Sequence, residues 1–297
     1  MTQTRSIHRP LPDERSFCRR NALRLMAAGA VGAVVDAAVI EPAWLSVRRV
    51  EMRMPHWSDA LDGVKIALAA DMHYRGAESD DSLIDSLVGG INGEAVDLVV
   101  LPGDFIDSSP RMVARLAERL SRIQAGFGVF ASLGNHDGWN ADAESMRREF
   151  ERNGISLLVN RHSLVEVRGQ TIAICGLDSV WSGKPQPAQA LHGLHAATPV
   201  VTLAHEPDFF DIVRQFRPGM LQVSGHTHGG QCRVPVAGIA PVLPRFGRKY
   251  VKGEFQHETS RLFVTSGVGT TGLRLRFACR PELVIMTLRT AETFQEN

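Results

Sequence analysis

Nothing in this chain announces a partner by charge. Its 297 residues hold 33 Lys or Arg against 32 Asp or Glu, a formal charge of +1. The cationic field that drives non-specific nucleic-acid binding is therefore missing, and no specific nucleic-acid partner is implied. Cysteine is scarce too: Cys18, Cys175, Cys232 and Cys279 lie far apart, with neither the C-x-x-C spacing of a structural zinc site nor the density of a disulfide framework. They read as isolated thiols, with one bridge from Cys175 to Cys279 or Cys232 as the alternative. Internal repeats, low-complexity tracts and linkers are absent after Val50, so one domain is expected there. With 44% hydrophobic content the chain can bury a substantial core.

Long apolar runs are also lacking. Arg5, Arg9, Arg15, Arg19, Arg20 and Arg24 precede an apolar stretch over 25–35, the layout of a charged n-region followed by an h-region. Asp36 stops that stretch at 11 residues, short of the roughly 20 a spanning helix needs, and reading on to Leu45 would bury Asp36 and Glu41 at a cost. Residues 1–45 are accordingly expected to form a signal or weak membrane anchor, with an amphipathic arm packed on the domain as the alternative. The pair Arg19-Arg20 resembles a twin-arginine export signal, although Cys18 and Ala22 depart from its usual residues. The expected localisation is export, or anchoring at the inner membrane on its periplasmic or extracytoplasmic side.

The rest, 46–297, alternates strands with helices. Apolar runs predict strands over 64–70, 97–101 and 129–133, of the near-continuous kind found in sheets covered on both faces. Between them, Leu83, Ile84, Leu87, Val88 and Ile91 predict a helix over 79–92, and Met112, Val113, Leu116, Leu120 and Ile123 predict another, with Ser109 as N-cap and Pro110 in its first turn. A charged helix is expected over 142–153. Strands over 163–167 and 171–177 form a hairpin through Arg168-Gly169-Gln170. Further strands are expected over 199–204, 220–224, 261–266 and 282–288, with a long loop over 229–253.

Five polar clusters stand directly after these apolar runs: Asp71-Met72-His73, Gly103-Asp104-Phe105-Ile106-Asp107, Gly134-Asn135-His136-Asp137, His205, and Gly225-His226-Thr227-His228. Ligands of open α/β sheets gather beyond the carboxyl ends of strands, so these clusters can meet. Asp71 and His73, on an extended segment, would point the same way, as would His226 and His228. Asp104 can bridge two ions; Asn135 offers a neutral oxygen; His205 adds an imidazole. Taken singly, each has an ordinary reading as a turn, a cap or a surface loop. Jointly, in this order, they predict a metal site. Nitrogen and oxygen donors without thiolate suit Mn, Fe, Zn, Co or Ni, and Cys175 and Cys232 are not expected as ligands.

The order Asp-x-His, Gly-Asp-x-x-Asp, Gly-Asn-His-Asp, His, Gly-His-x-His resembles the signature of the calcineurin-like metallophosphoesterase superfamily. That resemblance implies an α/β fold, a four-layer α/β/β/α sandwich of two mixed sheets. It implies two divalent metal ions, one held by Asp71, His73, Asp104 and His228, the other by Asp104, Asn135, His205 and His226. His136 would be the general acid, oriented or kept protonated by Asp137, with Asp107 in support. Such a site uses metal-activated hydroxide on a phosphoester, most simply a phosphodiester. Gly229-Gly230-Gln231, the run 266–270, Arg276-Phe277 and Arg280-Pro281-Glu282 resemble the bacterial YkuE/YaeI-like branch of exported or membrane-associated phosphodiesterases.

Two alternatives accompany that expectation. Ile239, Val242, Leu243 and Phe246 interleave with Arg245, Arg248 and Lys249, so the loop over 238–249 can touch a bilayer and admit a lipid-linked pyrophosphate of the UDP-2,3-diacylglucosamine type; an ordinary packed loop is the favoured reading. A scaffold without catalysis is the other, and it is disfavoured because no block is missing. Arg274 and Arg276 alternate with apolar residues as on a half-exposed strand, with substrate binding the second reading, more open for Arg276.

Overall fold

The computed structural model describes residues 14–54, 56–107, 109–235 and 238–290. Twelve strands carry the fold: β1 (Ser46–Met54), β2 (Lys65–Leu68), β3 (Leu98–Pro102), β4 (Val129–Ser132), β5 (Ile155–Leu157), β6 (Arg161–Val167), β7 (Gln170–Gly176), β8 (Val200–Leu203), β9 (Leu221–Ser224), β10 (Gly253–His257), β11 (Ser260–Val264) and β12 (Glu282–Thr290). The helices are α1 (Glu14–Val35), α2 (Glu78–Asn92), α3 (Met112–Leu120), α4 (Asn135–Asn140), α5 (Ala143–Arg152), α6 (Pro187–Ala190) and α7 (Phe210–Phe216).

The strands form two six-stranded sheets, ordered β1-β12-β2-β3-β4-β5 and β10-β11-β9-β8-β7-β6. Both are mixed. In the first, β12 runs antiparallel to β2 while β2 to β5 are parallel. In the second, β7, β8, β9 and β11 are parallel, with β6 and β10 antiparallel at the edges.

Strand periodicity sorts the core into three apolar layers. Ala67, Val99 and Leu101 face Leu87, Leu116 and Phe150 of the helices. Ile66, Leu68 and Val100, from the same strands, meet Ile174, Val201 and Val223 of the other sheet. Cys175, Val200 and Val264 pack on Phe210 and Val213. Three buried layers between four tiers make the expected α/β/β/α sandwich. The central parallel strands β3, β4, β8 and β9 are buried along their whole length, as expected of strands covered on both faces.

Several local expectations shift. Helix α3 starts at Met112, because Ser109 and Pro110 form a preceding turn whose carbonyls accept from Met112 and Val113 N–H. Strands β1, β5 and β10 were not anticipated: β1 and β10 are edge strands with exposed polar residues, where the apolar run that marks a buried strand is missing, and β5 is an edge strand of only three residues. Residues 273–277 do not form a strand; only a bridge from Cys232 to Phe277 is present. The hairpin turn is as expected, with Arg168 and Gly169 both at positive φ, 53° and 78°, the pairing that matches strand twist. Cys175, Cys232 and Cys279 are free thiols.

Helix α1 does not stop at Asp36. Its path continues through a wider turn, Asp36–Ile40, and a tighter one, Glu41–Ala43. The stretch Asn21–Ala43 is 23 residues, long and apolar enough to cross a membrane by length and composition. Leu25, Met26, Val31 and Val34 are exposed, so the arm is not packed on the domain. Arg5 and Arg9 lie outside the described residues, as do the side chains of Arg15, Arg19 and Arg20. At its far end the segment touches the domain: Arg276 N–H donates to Ala37 O at 2.9 Å, and the buried Glu41 carboxylate accepts from the N–H groups of Ala278 and Cys279.

Candidate metal centre

Strands β2, β3 and β4 end at one edge of the first sheet, and β8 and β9 end at the facing edge of the second. The chain beyond β2 and β3 stays paired: Asp71 N–H donates to Gly103 O (3.0 Å) and His73 N–H to Asp104 O (3.0 Å). Asp71 and Asp104 are thereby set side by side, and His226 N–H donates across the sheets to Asp71 Oδ1 at 2.8 Å.

These segments are not extended, contrary to the simple alternation argument. Asp71, His73, Asp104, His226 and His228 all adopt positive φ, between 43° and 70°. Asp and His tolerate this region better than most residues, yet each instance costs about 1–3 kcal/mol and persists only where the surroundings impose it. Here tight turns swing the side chains inward. Glycines make room: a Cβ on Gly134 would lie 2.2 Å from Asp104 Oδ1, and one on Gly267, itself at φ +70°, 2.5 Å from Asp71 Oδ2.

All seven expected ligands are buried. Three trios can each present ligand atoms within 4.8 Å of one another: Asp71, His73 and His228; Asp104, His205 and His226; and His73, Asp104 and His136. His73 Nε2 lies 3.0 Å from His228 Nε2, and His205 Nε2 lies 3.1 Å from Asp104 Oδ2 and 3.8 Å from Asp71 Oδ1. His205 Nδ1 is fixed by Pro102 O at 2.7 Å and His226 Nε2 by Arg245 O at 2.6 Å, which orients each ring and leaves the other nitrogen for the cluster.

A metal fits this arrangement on the protein's own terms. Asp71 Oδ2, Asn135 Oδ1, His205 Nε2 and His228 Nδ1 are buried without a hydrogen-bond partner among the described residues, and such orphans are rare without a ligand to satisfy them. Asn135 is buried at the end of β4 with a bare amide oxygen. Burial pushes the Asp71 carboxyl up; it also pushes His228, crowded by His73 and Arg276, well below the usual imidazole range. Against the same burial, His205 and His73 hold Asp104 well below the usual carboxylate range. Carboxyl oxygen and imidazole nitrogen together are the donor set of divalent cations of the Mn, Fe, Zn, Co and Ni kind. Cys232 belongs to none of the trios.

His136 stands at the rim with its ring 4.6 Å from that of His73. Its partner is not Asp137. His136 Nδ1 lies 2.9 Å from Asp107 Oδ1, which also meets His73 Nδ1 at 3.2 Å, while Arg75 Nε donates to Asp107 Oδ2 at 2.7 Å. Although burial opposes it, the Asp107 contact raises the His136 pKa. Asp137 instead accepts N–H bonds from Asp104, Phe105, Ile106 and Gly134, tying the second and third clusters together. Its position at the third residue of the α4 turn faces its carboxylate back onto these amides, away from the His136 ring. Burial and the nearby Asp104 push its pKa up to about 7, against those four donors.

Other residues were not legible as functional. Trp181 sits 5.7 Å from the His226 ring and Trp139 5.1 Å from that of His136, in edge contact with each other at 5.0 Å. Glu206, fully buried, holds the Trp181 loop through Ser179 Oγ and the N–H groups of Val180 and Trp181; its place beside His205 was the only signal. Arg276 does not reach substrate: it is fully buried, its guanidinium donating to the carbonyls of Ser266, Gly267, Gly269 and Cys279. Arg274 pairs with Asp80 at 3.5 Å.

Comparison with known proteins agrees with this site. The calcineurin-like phosphoesterase family model matches residues 64–230, a span that holds all five clusters. Phosphodiesterase YaeI of Escherichia coli is 31% identical over 255 residues, covering 84% of this chain and 90% of that protein. The uncharacterized metallophosphoesterase YkuE of Bacillus subtilis is 30% identical over 271 residues, 89% of this chain and 93% of its own. A transmembrane protein with metallophosphoesterase domain from Danio rerio is 30% identical over 282 residues, 91% of this chain but 62% of that one. The agreement runs from the order of the strand-end clusters to nearly the full length of two bacterial relatives, and on it the chain belongs to the calcineurin-like phosphoesterase family and is a phosphoester hydrolase.

Proposed function

We propose that the protein is a phosphodiesterase working with two divalent cations and a histidine general acid. Asp71, His73, Asp104 and His228 would hold one cation, and Asp104, Asn135, His205 and His226 the other. The pair of trios sharing one buried locus, with orphaned donors in each, carries this reading. Bound there, two cations neutralise phosphoryl oxygens and make water acidic enough to supply hydroxide near neutral pH. The protein's own part is to keep the donors fixed and to hold a proton at His136. The Asp107 carboxylate raises the His136 pKa and aims the ring, so that its free nitrogen can protonate a departing alkoxide, a contribution of about 10² to 10⁴ in rate.

The test is hydrolysis of bis(p-nitrophenyl) phosphate by the purified chain with added Mn²⁺, joined to metal analysis. Activity with two metal equivalents is expected, and Asp104→Asn removes both. Turnover that survives Asp104→Asn and a chelator would end the reading. Replacing His136 with Gln is expected to keep the metal and lose about 10² to 10⁴ in rate on alkyl leaving groups; an unchanged rate would take His136 out of catalysis.

Residues 1–45 are proposed as a twin-arginine-type signal or inner-membrane anchor, with the phosphoesterase domain over 46–297 on the extracytoplasmic side. The apolar stretch Asn21–Ala43 supports this, as does the relative described as a transmembrane protein. A lipid-linked phosphoester or pyrophosphate is the second reading, favoured by an apolar cleft that opens on His226 and His228.

A further inference from the structure

Beside the metal centre a cleft of about 420 Å³ runs from His226 and His228 out between the loops at 241–244 and 271–275. Its walls are Val242, Leu243, Leu273 and Leu275, with Pro241 and Pro244. No Asp, Glu, Lys or Arg stands among its described lining residues. Val242 is 79% exposed and Leu273 74%, although an exposed leucine or valine gains nothing from water. One wall is tied to the segment after His228: Gln231 Nε2 donates to Thr271 O at 3.0 Å and its Oε1 accepts from Thr271 N–H at 2.9 Å, while Phe277 N–H donates to Gln231 O at 3.0 Å. That side of the cleft is held in place beside His228, and binding pockets are usually largely formed before the ligand arrives.

We infer that this cleft is the subsite for the hydrocarbon chain of an amphiphilic phosphoester, whose phosphoryl group lies at the metal centre. The inference rests on the phosphodiesterase reading and names its substrate class. Proximity decides the occupant: the cleft reaches His226 and His228, two residues of the metal cluster, so a substituent on a phosphoryl group held there is the group placed to enter it. Thr227, Gln231 and Thr271 also line the cleft, but on the outer walls of Val242, Leu243, Leu273 and Leu275 a sugar or nucleoside would leave polar groups unpaired, at a cost an alkyl chain does not bear. The cleft is also tethered to the segment that can enter a bilayer. Glu41, at the end of the apolar stretch, holds Ala278 and Cys279, just past the Leu275 wall.

The experiment uses the full chain in lipid nanodiscs with Mn²⁺ and a series of methyl, butyl and octyl p-nitrophenyl phosphates below their micelle concentrations. From methyl to octyl, kcat/KM is expected to rise about tenfold or more, since a fully buried methylene is worth roughly fourfold and the cleft is open on one side. In Leu273→Asp, and independently in Val242→Asp, the rise falls to about twofold or less. The readout is a ratio in the same nanodiscs, so partitioning and general damage to the centre cancel. A rise that both variants retain, or no rise in the wild type, overturns the inference while leaving the phosphodiesterase reading intact. Binding supplies a readout without turnover: octylphosphonate is expected to bind at least about tenfold tighter than methylphosphonate by calorimetry, and the gap closes in Leu273→Asp. Equal binding overturns the subsite. If no ester is hydrolysed but the binding gap is present, the phosphodiesterase reading fails and the subsite stands.

Discussion

At the scale of single residues, the pairing of His136 with Asp107 has a consequence in pH. Contact with Asp107 raises the His136 pKa above its ordinary 6.5, so the proton-donating form persists to higher pH than in a free imidazole. Activity that needs that proton is present below the raised pKa and falls as pH rises through it. Asp107→Asn removes the carboxylate and is expected to move the alkaline limb of kcat to lower pH. Rate profiles with an alkyl leaving group, at matched metal content, check this. An alkaline limb that stays where it was would assign the proton to another group. Asp137→Asn is expected to act on stability instead, because an amide oxygen replaces a carboxylate that accepts four buried N–H bonds. About 1–3 kcal/mol of unfolding free energy is at stake, readable in urea.

Among the elements, turns matter more than strands. Gly134, ahead of α4, leaves room for Asp104, whose Oδ1 would lie 2.2 Å from an added Cβ. Since Asp104 Oδ1 also accepts the His136 N–H at 2.8 Å, one methyl group displaces both. Gly134→Ala is expected to lose metal and activity together and about 1–3 kcal/mol of stability. Metal content after dialysis and a urea midpoint give the answer; a fully loaded, active variant would contradict the packing. The Glu41 contact makes a parallel case far from the chemistry. Glu41→Ala leaves the N–H groups of Ala278 and Cys279 without their acceptor, expected to lower stability by about 1–3 kcal/mol. An unmoved urea midpoint would show that the segment after the apolar stretch contributes nothing to the domain.

For the molecule as a whole, the centre is a joint between the two sheets. Asp71, His73, Asp104 and Asn135 come from the first, and His205, His226 and His228 from the second. A cation bound by both locks them against each other, so chelation is expected to be felt globally. With metal at about 100 times its dissociation constant the native state gains about 2.7 kcal/mol, which for a domain of this size corresponds to a Tm lower by about 5–10 °C after chelation. Calorimetry with and without a chelator measures it, and an unchanged Tm would place the cation outside the interlocked cluster.

The central strands, helices α2, α3 and α5, and the polar clusters at the strand ends could be read from the chain, because each cluster stands directly after an apolar run and chemistry at a strand end is written in consecutive residues. Edge strands β1 and β10 escaped notice because exposed polar positions dilute the pattern. What only the tertiary structure decided depends on residues far apart in the chain. Asp107 rather than Asp137 meets His136 because Asp137, third in the α4 turn, faces back onto the amides of 104–106 and 134, while the second cluster brings Asp107 against the His136 ring. Arg276 is a buried strut because carbonyls from 266–279 close around it. The cleft exists only where two loops about thirty residues apart, 241–244 and 271–275, stand face to face beside His226 and His228. Local pattern records burial and periodicity, whereas pairing across loops depends on how the two sheets are set against each other, and no short window of sequence carries that.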